Sequence, residues 1–308
     1  EFNYYYFCYD VTLAPQGPTV NSGGYPCSNV ELMDVESLED LGGGANGNDC
    51  WGWVDHETGR EIAIYGRSSG TSFIDVTDAT DIKFFASLPT ATDASLWRDI
   101  KVVHDHAYIV SEAPVHGMQV MHLDALRGWS PLDGPVTWSP DTVIASPGTA
   151  HNVVAFEDAS KIIQVGTSTF GGGAAIFDVS DPSVPTLIGG LSEWGSFHDA
   201  QALIYEGPDE EHVGKELLFA AGGEKLWILD ITDASDVQLI GASTYANPHF
   251  SHQVWLSDTH DHAFLGDELD ETTTGGATRT VVFDLTDLDS PQEVEVYEAE
   301  TTASDHNQ

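Results

Sequence analysis

Ser251-His-Gln-Val-Trp-Leu256, Ala263-Phe-Leu-Gly-Asp-Glu268 and Thr280-Val-Val-Phe-Asp-Leu-Thr-Asp287 are three short runs rich in Val, Phe, Leu and Trp, separated by turn residues. Such runs read as β-strands. A fourth, Gln292-Glu-Val-Glu-Val-Tyr297, follows Ser290-Pro291. The third run ends in a phrase that recurs: Phe73-Ile-Asp-Val-Thr-Asp78, Ile176-Phe-Asp-Val-Ser-Asp181, Ile228-Leu-Asp-Ile-Thr-Asp233 and Val282-Phe-Asp-Leu-Thr-Asp287, with a degraded copy at Met121-His-Leu-Asp124. The first Asp of each copy falls at 75, 124, 178, 230 and 284, gaps of 49, 54, 52 and 54 residues. Four strands per fifty-odd residues is the period of a β-propeller blade, and a single blade cannot bury both its faces alone.

The expected fold is therefore all-β: a propeller of four-stranded blades. Blades are expected near residues 49–90, 97–145, 150–190, 197–243 and 251–298. Residues 1–27 read as an N-terminal arm and 28–308 as the propeller domain. Asn29–Val35 alternates like a strand and is expected to complete the last blade. Ala303-Ser-Asp-His-Asn307 repeats a blade opening such as Ala150-His-Asn152, so the reading is five complete blades plus the start of a sixth, part of a six- or seven-bladed ring. Helix is expected only as short turns, for instance at Asp124–Arg127.

Fifty acidic and ten basic side chains give a formal net charge of −40. That argues against nucleic acid or anionic membranes as partners, and suits a solvated surface in saline surroundings. No apolar run is long enough for a transmembrane helix. Cys8 and Cys27 flank a Gly/Pro/Ser-rich segment and are expected to form a disulfide in an oxidising compartment. Cys50 is expected to be a free buried thiol. The standard nucleophile, phosphate-loop and dinucleotide motifs are absent from the sequence.

Blade openings carry the chemistry. Asp49, Arg98, His151, His198, His252 and His306 occupy equivalent positions, and Cys50, Asp99, Asn152, Asp199, Gln253 and Asn307 follow them. The first strand of a blade lines the central channel, so these residues gather at one mouth, together with the loop between the second and third strands. That loop brings Glu112 and the acidic run Asp267-Glu-Leu-Asp-Glu271. Converging imidazoles suit a transition metal, with carboxylates to orient the rings. The metal candidates are His151, His198, His252 and His306. The ion would be zinc, iron, copper, manganese or calcium. In an enzyme, Asp267 or Glu268 is the candidate base and Arg98 the anion binder. The competing reading is a ring of polar residues that hydrogen-bonds neighbouring loops. His104-Asp-His106 and His260-Asp-His262 read as hairpin turns on the opposite face.

Tyr25-Pro-Cys-Ser-Asn-Val30, Asp49-Cys-Trp-Gly-Trp53, Trp97-Arg-Asp-Ile-Lys101, His198-Asp-Ala-Gln201, Gly266-Asp-Glu-Leu-Asp270 and Asp305-His-Asn307 resemble motifs of the choice-of-anchor B family, whose members carry LVIVD repeats. The resemblance covers the chain from about Tyr25 and implies a secreted or surface-attached propeller with further blades. It supplies no activity. The primary expectation is an extracellular or cell-surface binding or structural module whose partner is a protein, a glycan or a second copy. The alternative is a metal-dependent lyase, hydrolase or oxygenase acting at the channel mouth.

Overall fold

A computed structural model describes residues 32–130, 133–299, 301–304 and 306, and the backbone of two short strands, Val20–Ser22 and Tyr25–Cys27. Cys8 and the side chain of Cys27 lie outside the described residues, and so does the expected disulfide.

The chain forms five antiparallel blades in sequence order. Their first strands are Gly47–Asp55, Arg98–Val103, Asn152–Phe156, Asp199–Ile204 and Ser251–Leu256. Each later strand pairs with the one before it, so strand direction alternates outward from the first. The irregular outer part of blade 2 is shared between two sheets. Thr142–Ile144 is the outermost strand of blade 2, while Val136–Thr137 pairs in parallel with Lys83–Pro89 of blade 1. Leu123–Gly128 forms a 3-10 turn, and a five-residue helix, Asp270–Thr274, interrupts blade 5.

The second strands are close to continuous apolar runs, because both faces of a blade are covered. Leu217–Gly222 is buried from Leu217 onwards, and Ile62, Ile64 and Phe219 are almost inaccessible. One apolar cluster lies at each junction. Ile64 and Phe73 meet Ile100 and Ile109 between blades 1 and 2. Val110 and Met118 meet Val153 and Phe177 between blades 2 and 3. Ile163 and Ile176 meet Leu218 and Leu229 between blades 3 and 4, and Phe219 and Ile228 meet Leu265 and Phe283 between blades 4 and 5.

The free face of blade 1 is closed by the segment that precedes it. From Leu32 onward this segment is not a strand and does not join blade 5. Instead Leu38 and Leu41 lie on Ala63, Tyr65 and Ile74. The Asp34 carboxylate accepts from Ile82 N, and the buried Arg67 guanidinium donates to the carbonyls of Gly42 and Gly43. The free face of blade 5 has no such cover among the described residues. Trp255, Phe264 and Tyr297 are 50%, 36% and 62% exposed there.

The recurrent Asp phrase closes turns. The first Asp accepts from the backbone N–H two residues on in all four full copies, as at Asp178 to Ser180 (2.8 Å) and Asp230 to Thr232 (3.0 Å). The second does the same, as at Asp181 to Ser183 and Asp233 to Ser235. These are Asx turns, which Asp favours because its short side chain reaches that donor.

Phe219→Ala should cost about 3–5 kcal/mol by opening the interface between blades 4 and 5. Asp178→Ala should cost only about 1 kcal/mol, the net value of a turn hydrogen bond. Denaturant midpoints of the two variants check both figures.

Candidate functional site

Four imidazoles and one indole form a closed circle at the channel mouth. Ring centroids are 4.1 Å apart for His151 and His198, 4.1 Å for His198 and His252, and 4.7 Å for His252 and His306. Trp97 completes the circle at 5.7 Å from His151 and 6.0 Å, stacked, from His306. His306 arrives by a different route from the others. The segment after blade 5 folds back over the loop between that blade's second and third strands, where Thr278 N donates to Thr301 O and Ser304 Oγ donates to Glu268 O.

The hydrogen bonds fix which nitrogens are available. His151 Nδ1 faces Glu112 Oε1 at 2.7 Å, His198 Nδ1 faces the carbonyl of His252 at 3.1 Å, and His306 Nδ1 faces Glu268 Oε1 at 3.0 Å. A carbonyl or carboxylate oxygen accepts only, so Nδ1 carries a proton in each, and in the neutral ring Nε2 is the nitrogen with the lone pair. An oxygen acceptor on one ring nitrogen and a free lone pair on the other is the arrangement found behind metal-bound histidines. His252 differs. It is 2% exposed, neither ring nitrogen has a hydrogen-bond partner, and Glu268 Oε2 lies 3.7 Å from Nε2. Donor atoms of His252, Glu268 and His306 all lie within 4.8 Å of one another. Burial and the neighbouring imidazoles push His198 down to about 4 and His252 further, so both rings are neutral near pH 7.

Below the circle, a cavity of about 760 Å³ runs along the first strands of all five blades and reaches Trp255 and Phe264 on the free face of blade 5. Asp49, Asp99, Asp199 and Lys101 line it. Lys101 Nζ donates to Asp99 (2.7 Å) and Asp49 (3.3 Å) and lies over the Trp51 ring. Burial, then the Asp99 charge, raises Asp49 well above the usual carboxylate range, and burial takes Asp199 up to about 6. Cys50, expected to be buried, is an exposed thiol on the cavity wall. It sits on the free face of blade 1, on the first strand, beyond the cover that Leu38 and Leu41 lay over the second and third strands.

The position after each histidine does a different job. Asp99 Oδ2 accepts from Val153 N, and Asn152 Nδ2 donates to His198 O. With Asn48 accepting from Arg98 N and Gln201 accepting from Leu256 N, these side chains join each first strand to the next.

Two residues with expected roles lie elsewhere. Arg98 is fully buried, and its guanidinium reaches Arg67 O (3.0 Å), Thr90 Oγ1 (2.7 Å) and His116 Nε2 (3.1 Å), so it holds loops and faces no anion site. Burial lowers it to about 10. Arg98 is the first paired residue of its strand, whereas His151 and His198 precede theirs. The register is nevertheless the same, because Ile100, Val153, Ala200 and Val254, each two residues on, all pack against the preceding blade; the long Arg98 side chain turns into the loops of blade 1, and Trp97 takes its place in the circle. Asp267 is 0% exposed and accepts from Tyr245 OH, His249 N and Phe250 N, which leaves it no role as a base. Glu268 stays at the mouth. The indole of Trp97 carries no sequence signal of its own beyond its place next to Arg98.

Residues 169–192 match the LVIVD repeat. No curated protein matches the chain. Among solved structures, a functionally unknown protein from Desulfotomaculum acetoxidans is similar at 13% identity, over 87% of this chain and 74% of that one, with a TM-score of 0.58. A protein from Lactobacillus plantarum is similar at 15% identity (81% and 66%, TM-score 0.53), and a putative 6-phosphogluconolactonase from Bacteroides uniformis at 14% (80% and 71%, TM-score 0.54). At these identities the likeness concerns the fold alone.

His116 is buried against Arg98 and lowered to about 4, chiefly by burial. An unfolded chain takes up that proton near pH 6.5 and the fold does not, so stability should fall as pH drops from about 6.5 to 4 and level off below. In chelator-treated protein, His116→Gln should reduce the slope of unfolding free energy against pH in that window by about one proton. An unchanged slope would show that His116 titrates normally.

Proposed function

We propose that the channel mouth holds a divalent transition metal, of the zinc, iron, copper or manganese class, and that the propeller uses it on a small molecule entering the cavity below. His252, His306 and Glu268 form the nucleus of the site, and His198 and His151 complete it. The observation that carries this reading is the His252 ring, buried with both nitrogens unpartnered beside neighbours whose Nε2 atoms are free. An orphaned buried polar group costs about 1–3 kcal/mol, and a metal ion would remove that cost. A neutral imidazole set with a carboxylate suits these ions, whereas oxygen-only sites suit calcium. The metal would act as a Lewis acid in hydrolytic, lyase or oxygenase chemistry. Asp49, in the wall of the same cavity, is the carboxyl placed to exchange a proton with a bound molecule.

A second reading rests on blade 5. Its free face exposes Trp255, Phe264 and Tyr297, apolar surface that a further blade or a partner would cover. A binding or structural module would use that face for a protein partner, a second copy or a glycan. Membership in the choice-of-anchor B family, supported by the motifs and the LVIVD match, goes with either reading. So does an extracellular or cell-surface location, supported by the net charge of −40.

Elemental analysis of the purified protein should find about one equivalent of a transition metal, and a His198→Ala/His252→Ala variant should lose it. Metal-free protein that also takes up no added zinc, manganese or iron would refute the site. It would move the search to the free face of blade 5.

A further inference from the structure

A second group of buried acidic side chains lies in the loop that carries Glu268, outside the imidazole circle. Asp267, Asp270 and Glu271 are 0%, 2% and 4% exposed. Among the described residues one permanent cation faces them, with the His249 ring 3.9 Å from Asp267. Arg279 Nε donates to Asp270 Oδ2, and its Nη2 is 3.7 Å from Asp267 Oδ2. The same guanidinium also donates to the carbonyls of Ala246 and Asn247. Asp267 is fully used by its three donors. Asp270 and Glu271 are not: Asp270 Oδ1 and both carboxylate oxygens of Glu271 are buried without a hydrogen-bond donor. The two carboxyl groups abut each other.

Three carboxylates against one guanidinium leave an excess of negative charge in a place that water does not reach. Burying an uncompensated charge is expensive, and proteins relieve it with a proton or a counter-ion. The donors here are all oxygens, three of them idle, on a loop of irregular backbone. That chemistry matches a hard divalent cation such as calcium. Asp270, though not Glu271, also lines a cavity of about 210 Å³ together with Asn247, His249, Thr274 and Glu298, which brings solvent to the edge of the pair.

We propose that Asp270 and Glu271 bind a calcium-type cation that clamps the rim loop of blade 5. The ion bridges the two carboxyl groups, and backbone carbonyls or water complete its shell. The consequence reaches the channel mouth, because the clamped loop carries Glu268, the partner of His252 and His306. The site does not depend on the imidazole circle. Its ligands are hard where those are borderline, so the two fail separately. Burial and the adjacent Asp270 raise the pKa of Glu271, which supports a carboxyl in need of a counter-charge. A proton shared between the two carboxyl groups is the competing arrangement, and it makes opposite predictions.

The test is thermal unfolding and calorimetric titration of chelator-treated protein with calcium chloride, in buffer of physiological ionic strength so that the general acidic surface is screened. Binding is expected with a Kd of about 10⁻⁴–10⁻³ M, typical of calcium sites in extracellular modules, and Tm should rise with calcium. Glu271→Gln should abolish the rise. Glu210→Gln, an exposed carboxylate elsewhere, should leave it intact, and so should His198→Ala/His252→Ala. A wild-type protein with no calcium response, or a Glu271→Gln variant that responds like wild type, overturns the proposal. A Glu271→Gln variant more stable than a calcium-indifferent wild type also overturns it, in favour of the shared proton. Should Glu271→Gln fail to fold, hydrogen exchange of the wild type decides. Calcium should slow exchange across residues 268–275, and unchanged exchange there overturns the proposal.

Discussion

A four-stranded blade has two apolar faces, and it persists only with something packed on both. Ile64, Val110, Ile163 and Phe219 each belong to a different junction, and each is sealed by the next blade in the chain. Blade 1 meets the same requirement by a different means. The segment from Asp34 to Gly43 lies across its free face, held by Leu38, Leu41 and the buried Arg67. Blade 5 leaves Trp255 and Phe264 in solvent, so that face is where the structure is least satisfied.

Stacking faces in this way fixes the channel. Each first strand starts at the same end, and a polar side chain near its start hydrogen-bonds the following strand, as Asp99 does to Val153 and Asn152 to His198. With the strands pinned, the residues just before them have a single place to go. Four imidazoles and Trp97 meet there with centroids 4–6 Å apart, and an oxygen orients each imidazole except that of His252. The proposed site therefore depends on the repeat. No single blade contains the site, and no short motif could announce it.

Much of this was legible in the sequence because repetition samples the same position several times. The four recurrent Asp phrases set the period, and His151, His198, His252 and His306 fell into one column without any structural input. Arg98 shares that column and its register, but its longer side chain reaches Arg67 O, Thr90 and His116 instead of the mouth, and the position of those acceptors is tertiary information. Asp267 has the look of a base in a polar loop. Its burial under Tyr245 and two backbone amides depends on a fold-back of residues 245–250 that no local pattern encodes. Asn29–Val35 alternates like a strand, yet its chain from Leu32 on serves as a cover, since local alternation does not say which surface needs covering. The idle oxygens of Asp270 and Glu271 were hidden for the same reason. An acidic loop reads as solvated until burial is known.

The imidazole circle is the centre of the account, and its coordination chemistry is measurable directly. X-ray absorption of the protein loaded with one equivalent of zinc reports the ligand type and distance. The account predicts a first shell dominated by imidazole nitrogen at about 2.0–2.1 Å, with the multiple-scattering signature of histidine rings. A shell of oxygen donors without imidazole scattering, or zinc that washes off without binding, would contradict it.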